Sequence, residues 1–297
     1  MMDSGSYGEN RAARSDDSPT CAEKAAIVCL RLKSFPRLAL EADVISPDII
    51  GGLSRPEIDS LPVRLGRRRY RLCDFFETDG EKSRRLELHG DCSRVKLIGR
   101  GMTGGSVTVF GNAGMHLGAE MRGGAITVHG NVADWTGAEM RNGLIHVRGA
   151  AGGQAGAAYR GSRKGMRGGM IVVEGDADIE IGMRMRRGLI YIGGRAGDFA
   201  GLQMMGGTIL LCGGAGLRTG AWMSRGTIVA LKPVDLLPTF PYACAYEPVF
   251  LRLLLKHLAD FGITPPDNFP NGPLRRHTGD TSGLGKGEIL TVSSSAV

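Results

Sequence analysis

The sequence lacks the cysteine spacing that metal centres and disulfide frameworks need. It contains six cysteines, and no two of them form a CxxC pair. They are Cys21, Cys29, Cys73, Cys92, Cys212 and Cys244. Scattered cysteines argue against a zinc site, an iron–sulfur cluster and a secreted disulfide framework. We therefore expect no metal site in this chain.

Uninterrupted apolar runs are also missing. Residues 1–24 are polar and have no apolar stretch of the kind found in secretory signals. The longest apolar stretch elsewhere, Phe250–Leu258, is interrupted by Arg252, Lys256 and His257, so it cannot span a bilayer. We expect a cytoplasmic protein with no membrane partner.

Long runs of basic residues interleaved with aromatic side chains, as found in many nucleic-acid-binding proteins, are absent from the sequence. The formal charge is +7, from 37 basic and 30 acidic residues, and such a surplus could still attract anionic ligands. No GxSxG motif, phosphate-binding loop or dinucleotide-binding glycine motif stands in a supporting context. We expect no nucleic-acid partner and no catalytic residues.

Glycine, by contrast, is abundant at 47 residues, and it belongs to an internal repeat. Seven methionines are separated by 19 residues, except for one interval of 26 that indicates a seven-residue insertion. They are Met102, Met121, Met140, Met166, Met185, Met204 and Met223. A glycine follows each methionine by three positions: Gly105, Gly124, Gly143, Gly169, Gly188, Gly207 and Gly226. An alternating apolar triplet such as Val107-Thr-Val109 comes next in every repeat.

This repeat predicts an all-β protein, a right-handed β-helix of about seven 19-residue coils. The two-residue alternation gives each coil a short strand whose apolar pair points inward. The glycines supply corners with positive φ or places where stacked backbones approach closely, and the methionines fill the core. A left-handed hexapeptide helix is the rival solenoid, but its coils would have 18 residues with an apolar position every six.

Both ends of such a solenoid need a cover, because exposed strand edges promote aggregation. We expect a disordered tail over residues 1–24 and an N-terminal capping segment over 25–85. The β-helix follows over 86–232, and a C-terminal helix with an extended tail occupies 233–297. The helix is predicted within Pro248–Ala259, where a proline stands near the first turn.

One column on the outside of the coils becomes apolar along the chain. Its later members are Val172, Tyr191, Leu210 and Val229. Exposed, they would form a larger apolar stripe than monomers usually tolerate. Either the predicted helix or a partner subunit therefore covers them.

Four arginines come directly after the methionine on successive coils: Arg122, Arg141, Arg167 and Arg186. Neighbours in this ladder repel at about 4.8 Å unless they are countercharged, and Glu120 and Glu139 could neutralise part of it. The inserted stretch adds the candidate residues Tyr159, Arg160, Arg163 and Lys164. The ladder is either a solvated or internally paired ridge, or a docking strip for an acidic partner or a polyanionic coenzyme.

Three histidines, His89, His129 and His146, stand on the outside of the same face. A metal site would need a third ligand and supporting contacts, and neither is apparent in the sequence. We interpret them as surface or interface histidines.

The repeat columns G-x-x-M-R-x-G-x-I-x-V-x-G resemble the repeat found in the C subunit of formylmethanofuran dehydrogenase. They are also similar to the C-terminal β-helix domain of the large glutamate synthase polypeptide. Leu40–Asp48, Asp74–Phe76 and Gly285–Ile289 resemble the C-subunit family at both ends of the chain. Leu237–Cys244 and the following Pro248–Leu253 are similar to its bacterial branch, the C subunit of the formyltransferase/hydrolase complex.

The resemblance implies a non-catalytic scaffold in an enzyme complex of one-carbon metabolism. The partners that it implies are the amidohydrolase-like A subunit, the B subunit, and the formyltransferase D subunit. That complex passes a formyl group from formyl-tetrahydromethanopterin to a methanofuran-like coenzyme and hydrolyses it to formate. The coenzyme and any metal would belong to the partner subunits, with no cofactor in this chain. Two alternatives remain: the C subunit of a molybdenum or tungsten formylmethanofuran dehydrogenase, and a stand-alone β-helix enzyme.

Overall fold

The computed structural model describes residues 27–264, 269 and 272–292. Strands dominate this part of the chain and form one thirteen-stranded sheet and one four-stranded sheet, so the all-β class is confirmed. Within the described residues, no helix has the length and apolar character needed to cross a membrane. The expected tail over 1–24 lies outside the described residues.

The N-terminal segment contributes to both sheets. Its elements are β1 (Val28–Leu32), β2 (Leu40–Glu41), α1 (Pro47–Ile50), α2 (Arg55–Asp59), β3 (Pro62–Leu65), β4 (Arg68–Arg71), a 3-10 turn (Leu72–Asp74) and β5 (Phe76–Asp79). β1 pairs with β5 in antiparallel fashion at one edge of the large sheet. β2, β3 and β4 belong to the small sheet.

The repeats supply the long parallel stretch of the large sheet. Their strands are β6 (Arg85–His89), β7 (Val95–Lys96), β8 (Ser106–Phe110), β9 (Ala125–Val128), β10 (Leu144–Val147), β11 (Arg167–Val173), β12 (Arg187–Ile192), β13 (Met205–Leu211) and β14 (Arg225–Ala230). β1 pairs in parallel with β6, β6 with β8, and each strand from β8 to β13 with the next one. β7 joins the small sheet. Because neighbouring strands lie one repeat apart, equivalent residues such as Val107 and Ile126 stand opposite each other.

A second parallel ladder runs through the small residues of the repeat. Single bridges join Cys92 to Ala113, Ala113 to Val132, and so on through Ala151 and Ala177 to Ala196. Each of these repeats therefore contacts its neighbour through two sets of backbone hydrogen bonds.

The inner side chains form one continuous core. All seven repeat methionines are fully buried with the inward valines and isoleucines of the strands. A corner glycine such as Gly124 has φ +82°, and a Cβ there would lie 2.6 Å from the carbonyl oxygen of Gly105. The repeat glycines thus provide both a left-handed corner and a close approach of stacked backbones.

The C-terminal segment continues the sheet and covers its outer face. Its elements are β15 (Tyr242–Tyr246), α3 (Phe250–Ala259), β16 (Leu274–Thr278) and β17 (Glu288–Thr291). β17 pairs in parallel with β14, and β16 and β15 follow in antiparallel fashion. Leu251 and Leu258 of α3 pack in one cluster with Val172, Leu210 and Val229. The helix is therefore confirmed as a cover of the apolar outer column.

Candidate functional site

The four ladder arginines stand in one column because their backbones are joined from repeat to repeat. The N–H groups of Arg122, Arg141, Arg167 and Arg186 donate to the carbonyl oxygens of Met102, Met121, Met140 and Met166, at 2.7–2.8 Å. Three of the side chains are exposed, and that of Arg167 is half-buried. The ladder is thus a row of cations along one corner of the repeats.

The carboxylates expected to neutralise this ladder point elsewhere. Glu120 forms an ion pair with Arg100 at 2.8 Å, and Glu139 accepts the backbone N–H of Tyr159 at 3.3 Å. Within the described ranges, no carboxylate oxygen lies within 4.0 Å of a ladder guanidinium. The buried Nε of Arg167 also has no hydrogen-bond partner there. The expected pairing with Glu120 and Glu139 is therefore wrong, because both carboxylates have other donors closer at hand.

An apolar groove runs directly beside the ladder. Its volume is about 610 Å³, and His257 and Phe261 at the end of α3 face it. Its other wall is formed by the repeats: Gly124, Ala125, Asn142, Gly143, Leu144, Gly169, Met170, Gly188 and Leu189. The four corner glycines of this wall each come two positions after a ladder arginine. The cations and the groove together form a surface suited to an apolar segment that carries acidic groups.

The inserted stretch is held back against earlier repeats through Tyr159. Its hydroxyl lies 3.0 Å from Nδ1 of His116, and its ring centroid lies 5.1 Å from that of Trp135. Burial raises the pKa of Tyr159 to about 12. Burial also lowers the pKa of His116, as do the nearby charges of Lys96 and Arg100. The neutral forms of both side chains are favoured, so the hydroxyl can donate to an unprotonated ring nitrogen.

The sequence pattern did not lead us to predict this aromatic cluster, although the repeat contains an indication of it. His116 and Trp135 occupy the same position of successive repeats, 19 residues apart. This shared position indicated that the two rings stack on the same side of the repeats. The insertion brings Tyr159 to them from further along the chain. Tyr159 therefore anchors the inserted stretch instead of extending the arginine ladder.

The remaining candidate residues of the insertion, Arg160, Arg163 and Lys164, are exposed. Arg184 fixes the stretch from the following repeat, since it donates to the carbonyl oxygen of Ser162 and, at 2.7 Å, to Oε1 of Gln203. A loop held by these hydrogen bonds thus presents three cations to solvent.

The outer histidines are distributed over separate contacts. His89 and His129, from the two repeats that flank Phe110, both stack on the Phe110 ring, with ring centroids 4.7 and 4.8 Å away. His146 instead lies 2.7 Å from Oε1 of Glu174 through its Nε2.

The seven repeat glycines all adopt the left-handed region, with φ from +80° to +103°. They are Gly105, Gly124, Gly143, Gly169, Gly188, Gly207 and Gly226. They shape the corner from which the ladder arginines project.

Comparison with known proteins gives a consistent set of relatives, although no family model matches the chain. The C subunit of the molybdenum-containing formylmethanofuran dehydrogenase 1 of Methanosarcina barkeri is 41% identical over 100 residues, 32% of this chain and 33% of the relative. The C subunit of the tungsten-containing enzyme 2 of Methanothermobacter marburgensis is 39% identical over 97 residues, 31% of this chain and 36% of the relative. The chain thus spans about a third of the length of these curated relatives.

A solved structure extends the likeness over nearly the whole chain. It is the crystal structure of the formyltransferase/hydrolase complex from Methylorubrum extorquens in complex with methylofuran. One of its chains is 36% identical with a TM-score of 0.84, and the match covers 89% of this chain and 99% of that one. This chain belongs to the C-subunit family of formylmethanofuran dehydrogenase. The resemblance found in the repeat and its flanks is confirmed, and the relatives of this C-subunit protein are parts of multi-subunit enzymes.

Proposed function

We propose that this C-subunit protein is the non-catalytic scaffold of a formyltransferase/hydrolase complex. The complex would convert formyl-tetrahydromethanopterin to formate through a methanofuran-like coenzyme. The observation that carries the proposal is the match over 99% of a chain from the Methylorubrum extorquens complex. The proposed partners are the amidohydrolase-like A subunit, the B subunit, and the formyltransferase D subunit. They would hold the coenzyme and any metal that takes part in the reaction, and the complex would be cytoplasmic.

The scaffold itself is proposed to be a right-handed β-helix of about seven 19-residue coils, over residues 86–232. The two parallel ladders and the buried methionine column support this arrangement. Residues 25–85 and 233–297 act as its caps. β1 and β17, which extend the parallel ladder at its two ends, support the capping role.

The docking strip of the scaffold is proposed to be the ladder Arg122, Arg141, Arg167 and Arg186, with Arg160, Arg163 and Lys164 of the loop that Tyr159 anchors. Its occupant is an acidic segment of a partner subunit. Charge complementarity supports this choice, because the ladder has no internal countercharge in the described chain. The apolar groove beside the ladder offers a seat for the apolar side chains of the same segment.

Affinity capture of the tagged full chain from its native cells tests the scaffold role. We expect the A, B and D subunits to be recovered together, and the captured complex to release formate from formyl-tetrahydromethanopterin. Turnover by the isolated chain would contradict the scaffold role and favour a stand-alone enzyme.

A charge-reversal variant tests the docking strip. Arg141→Glu combined with Arg167→Glu should abolish most of the complex peak in size-exclusion chromatography, because it converts attraction for an acidic segment into repulsion. Arg68→Glu combined with Arg69→Glu in the exposed strand β4 is the matched control, with the same change of net charge. An unchanged complex in the ladder variant would reject this surface.

A second candidate function is that of the C subunit in a molybdenum or tungsten formylmethanofuran dehydrogenase. The curated relatives with these names, 39–41% identical over about a third of this chain, favour it. Molybdenum or tungsten in the captured complex would select this candidate. Formate release without either metal would select the hydrolytic complex.

A further inference from the structure

Three side chains with metal-binding atoms meet at the start of the large sheet. They are Cys29 of β1 and Glu87 and His89 of β6. Cys29 stands directly opposite Glu87 in the parallel pairing, and His89 follows Glu87 by two residues on the same face. One ligand atom from each side chain lies within 4.8 Å of the other two, and Oε2 of Glu87 is 3.5 Å from Nε2 of His89.

This geometry is close to that of a tetrahedral zinc site. Sulfur, nitrogen and oxygen ligands at normal zinc distances are separated from one another by about 3.3–3.6 Å. The carboxylate and imidazole already have such a separation, and the thiol sulfur lies within 4.8 Å of both, so it needs a movement of at most about 1.5 Å to join them. A mixed sulfur, nitrogen and oxygen donor set also suits zinc better than magnesium or calcium.

The backbone that carries these side chains is firmly held. β1 is paired on both sides, by β5 and β6, and β6 is paired by β1 and β8. The inward residues Leu30 and Leu88 are fully buried. The ring of His89 is also oriented by stacking on Phe110, at 4.7 Å between centroids. Such pre-orientation lowers the cost of gathering ligands around a cation.

The electrostatic surroundings contain the carboxylates of Glu87 and Asp79 and one opposing cation, Arg31. Burial raises the pKa of the Cys29 thiol; Arg31 acts against this shift, and Glu87 and Asp79 reinforce it. A bound divalent cation would reverse the effect, because metal coordination displaces the thiol proton.

We propose that Cys29, Glu87 and His89 bind one zinc ion, with solvent in the fourth tetrahedral position. The sequence alone predicts no metal site, because the thiol comes from a strand that precedes the repeat. Only the parallel pairing of β1 with β6 brings it to the other two ligands. The ion would fasten the N-terminal strand to the first repeat, and this role is independent of which enzyme complex the chain joins.

Metal titration of the full chain tests the site, after removal of any affinity tag and of bound metal by EDTA. We expect one equivalent of zinc in competition with a chromophoric chelator. Cobalt as a probe should produce a thiolate-to-cobalt charge-transfer band. Cys29→Ser and His89→Ala should each lower zinc affinity by at least about a hundredfold.

Two variants serve as matched controls. His129→Ala removes the other histidine stacked on Phe110, and Cys73→Ser removes another half-buried thiol. Both should keep full affinity, and zinc should raise the melting temperature of the wild type and controls but not of the site variants. Circular dichroism verifies that each variant is folded.

Equal zinc affinity in the wild type and in Cys29→Ser would overturn the proposal. So would less than one equivalent bound by the folded wild type, or cobalt binding without a thiolate band.

Discussion

The N-terminal and C-terminal halves of the large sheet have the same kind of inner core but differ in the side chains on their outer face. In the N-terminal half, the first outer column consists of Thr108, Thr127 and His146, which remain partly accessible. In the C-terminal half, the same column consists of Val172, Tyr191, Leu210 and Val229, all at most 4% exposed. The inward residues of both halves are the same small set of aliphatic side chains and methionines.

The repeat therefore determines which side chains form the inner core, whereas the C-terminal segment determines which outer positions are apolar. α3 and the strands β16 and β17 place Leu251, Leu258, Leu274 and Leu290 against the C-terminal half. Apolar side chains are stable there because they leave water on packing. The N-terminal half has no such cover within the described chain, and its outer side chains are mostly polar.

A charge placed beneath α3 and the C-terminal strands should reduce stability more than the same charge in the N-terminal half. Leu210→Asp should lower the free energy of unfolding by about 4 kcal/mol or more, because a carboxylate would be buried without a partner. Thr127→Asp, at the equivalent position of the polar half, should change it by less than about 1 kcal/mol. Urea unfolding followed by circular dichroism measures both.

If Leu210→Asp does not fold, Leu210→Ala gives the same comparison at an expected cost of about 2–4 kcal/mol. Equal losses for the two aspartate variants would show that the two halves are not differently covered in solution.

Corner glycines should behave alike in the two halves, because they belong to the shared inner framework. Gly124→Ala and Gly188→Ala each place a Cβ 2.6 Å from the carbonyl oxygen of the preceding corner, at φ values of +82° and +101°. Each should cost about 1–3 kcal/mol in urea unfolding. Gly52→Ala, with no atom within 4 Å of its Cβ, is the control and should be nearly neutral. A clearly unequal cost at the two corners would contradict a common framework.

Mild acid should lower the stability through His116, which lies in a turn of the N-terminal half. Burial lowers the pKa of His116 below its ordinary value of 6.5. The unfolded chain therefore takes up this proton first, and stability is lost as the pH falls below about 6.5. Asparagine tolerates the left-handed backbone at φ +64°, so His116→Asn should reduce this loss of stability between pH 7.5 and 5.5.

Urea unfolding at the two pH values measures this effect, with His257→Asn, an exposed histidine of α3, as the control. An unaltered pH dependence in His116→Asn would assign the acid sensitivity to other groups.

The features that depend on the repeat were predictable from the sequence. The period places Met102, Ile126 and Gly124 inside or at corners regardless of tertiary detail, and the amphipathic stretch before Ala259 indicates a helix. Pairing of long side chains was not predictable in the same way. Glu120 reaches back to Arg100 and Glu139 to the backbone of Tyr159, contacts that depend on the path of the insertion and on rotamers. Sequence spacing also could not bring Cys29 to Glu87, because their pairing joins a strand outside the period to one within it.

Ile145 stands directly opposite Ile171, although the inserted stretch lies between them. The extra residues thus leave the sheet without altering the register between β10 and β11. The length of the loop and the number of repeats are consequently separate variables. Changing the loop alters the surface beside one strand, whereas adding or removing a repeat shifts the later strands of the sheet by about 4.8 Å. A partner that spans the insertion can therefore adapt to small changes of loop length. A change in the number of repeats would instead displace its contacts by a full strand spacing.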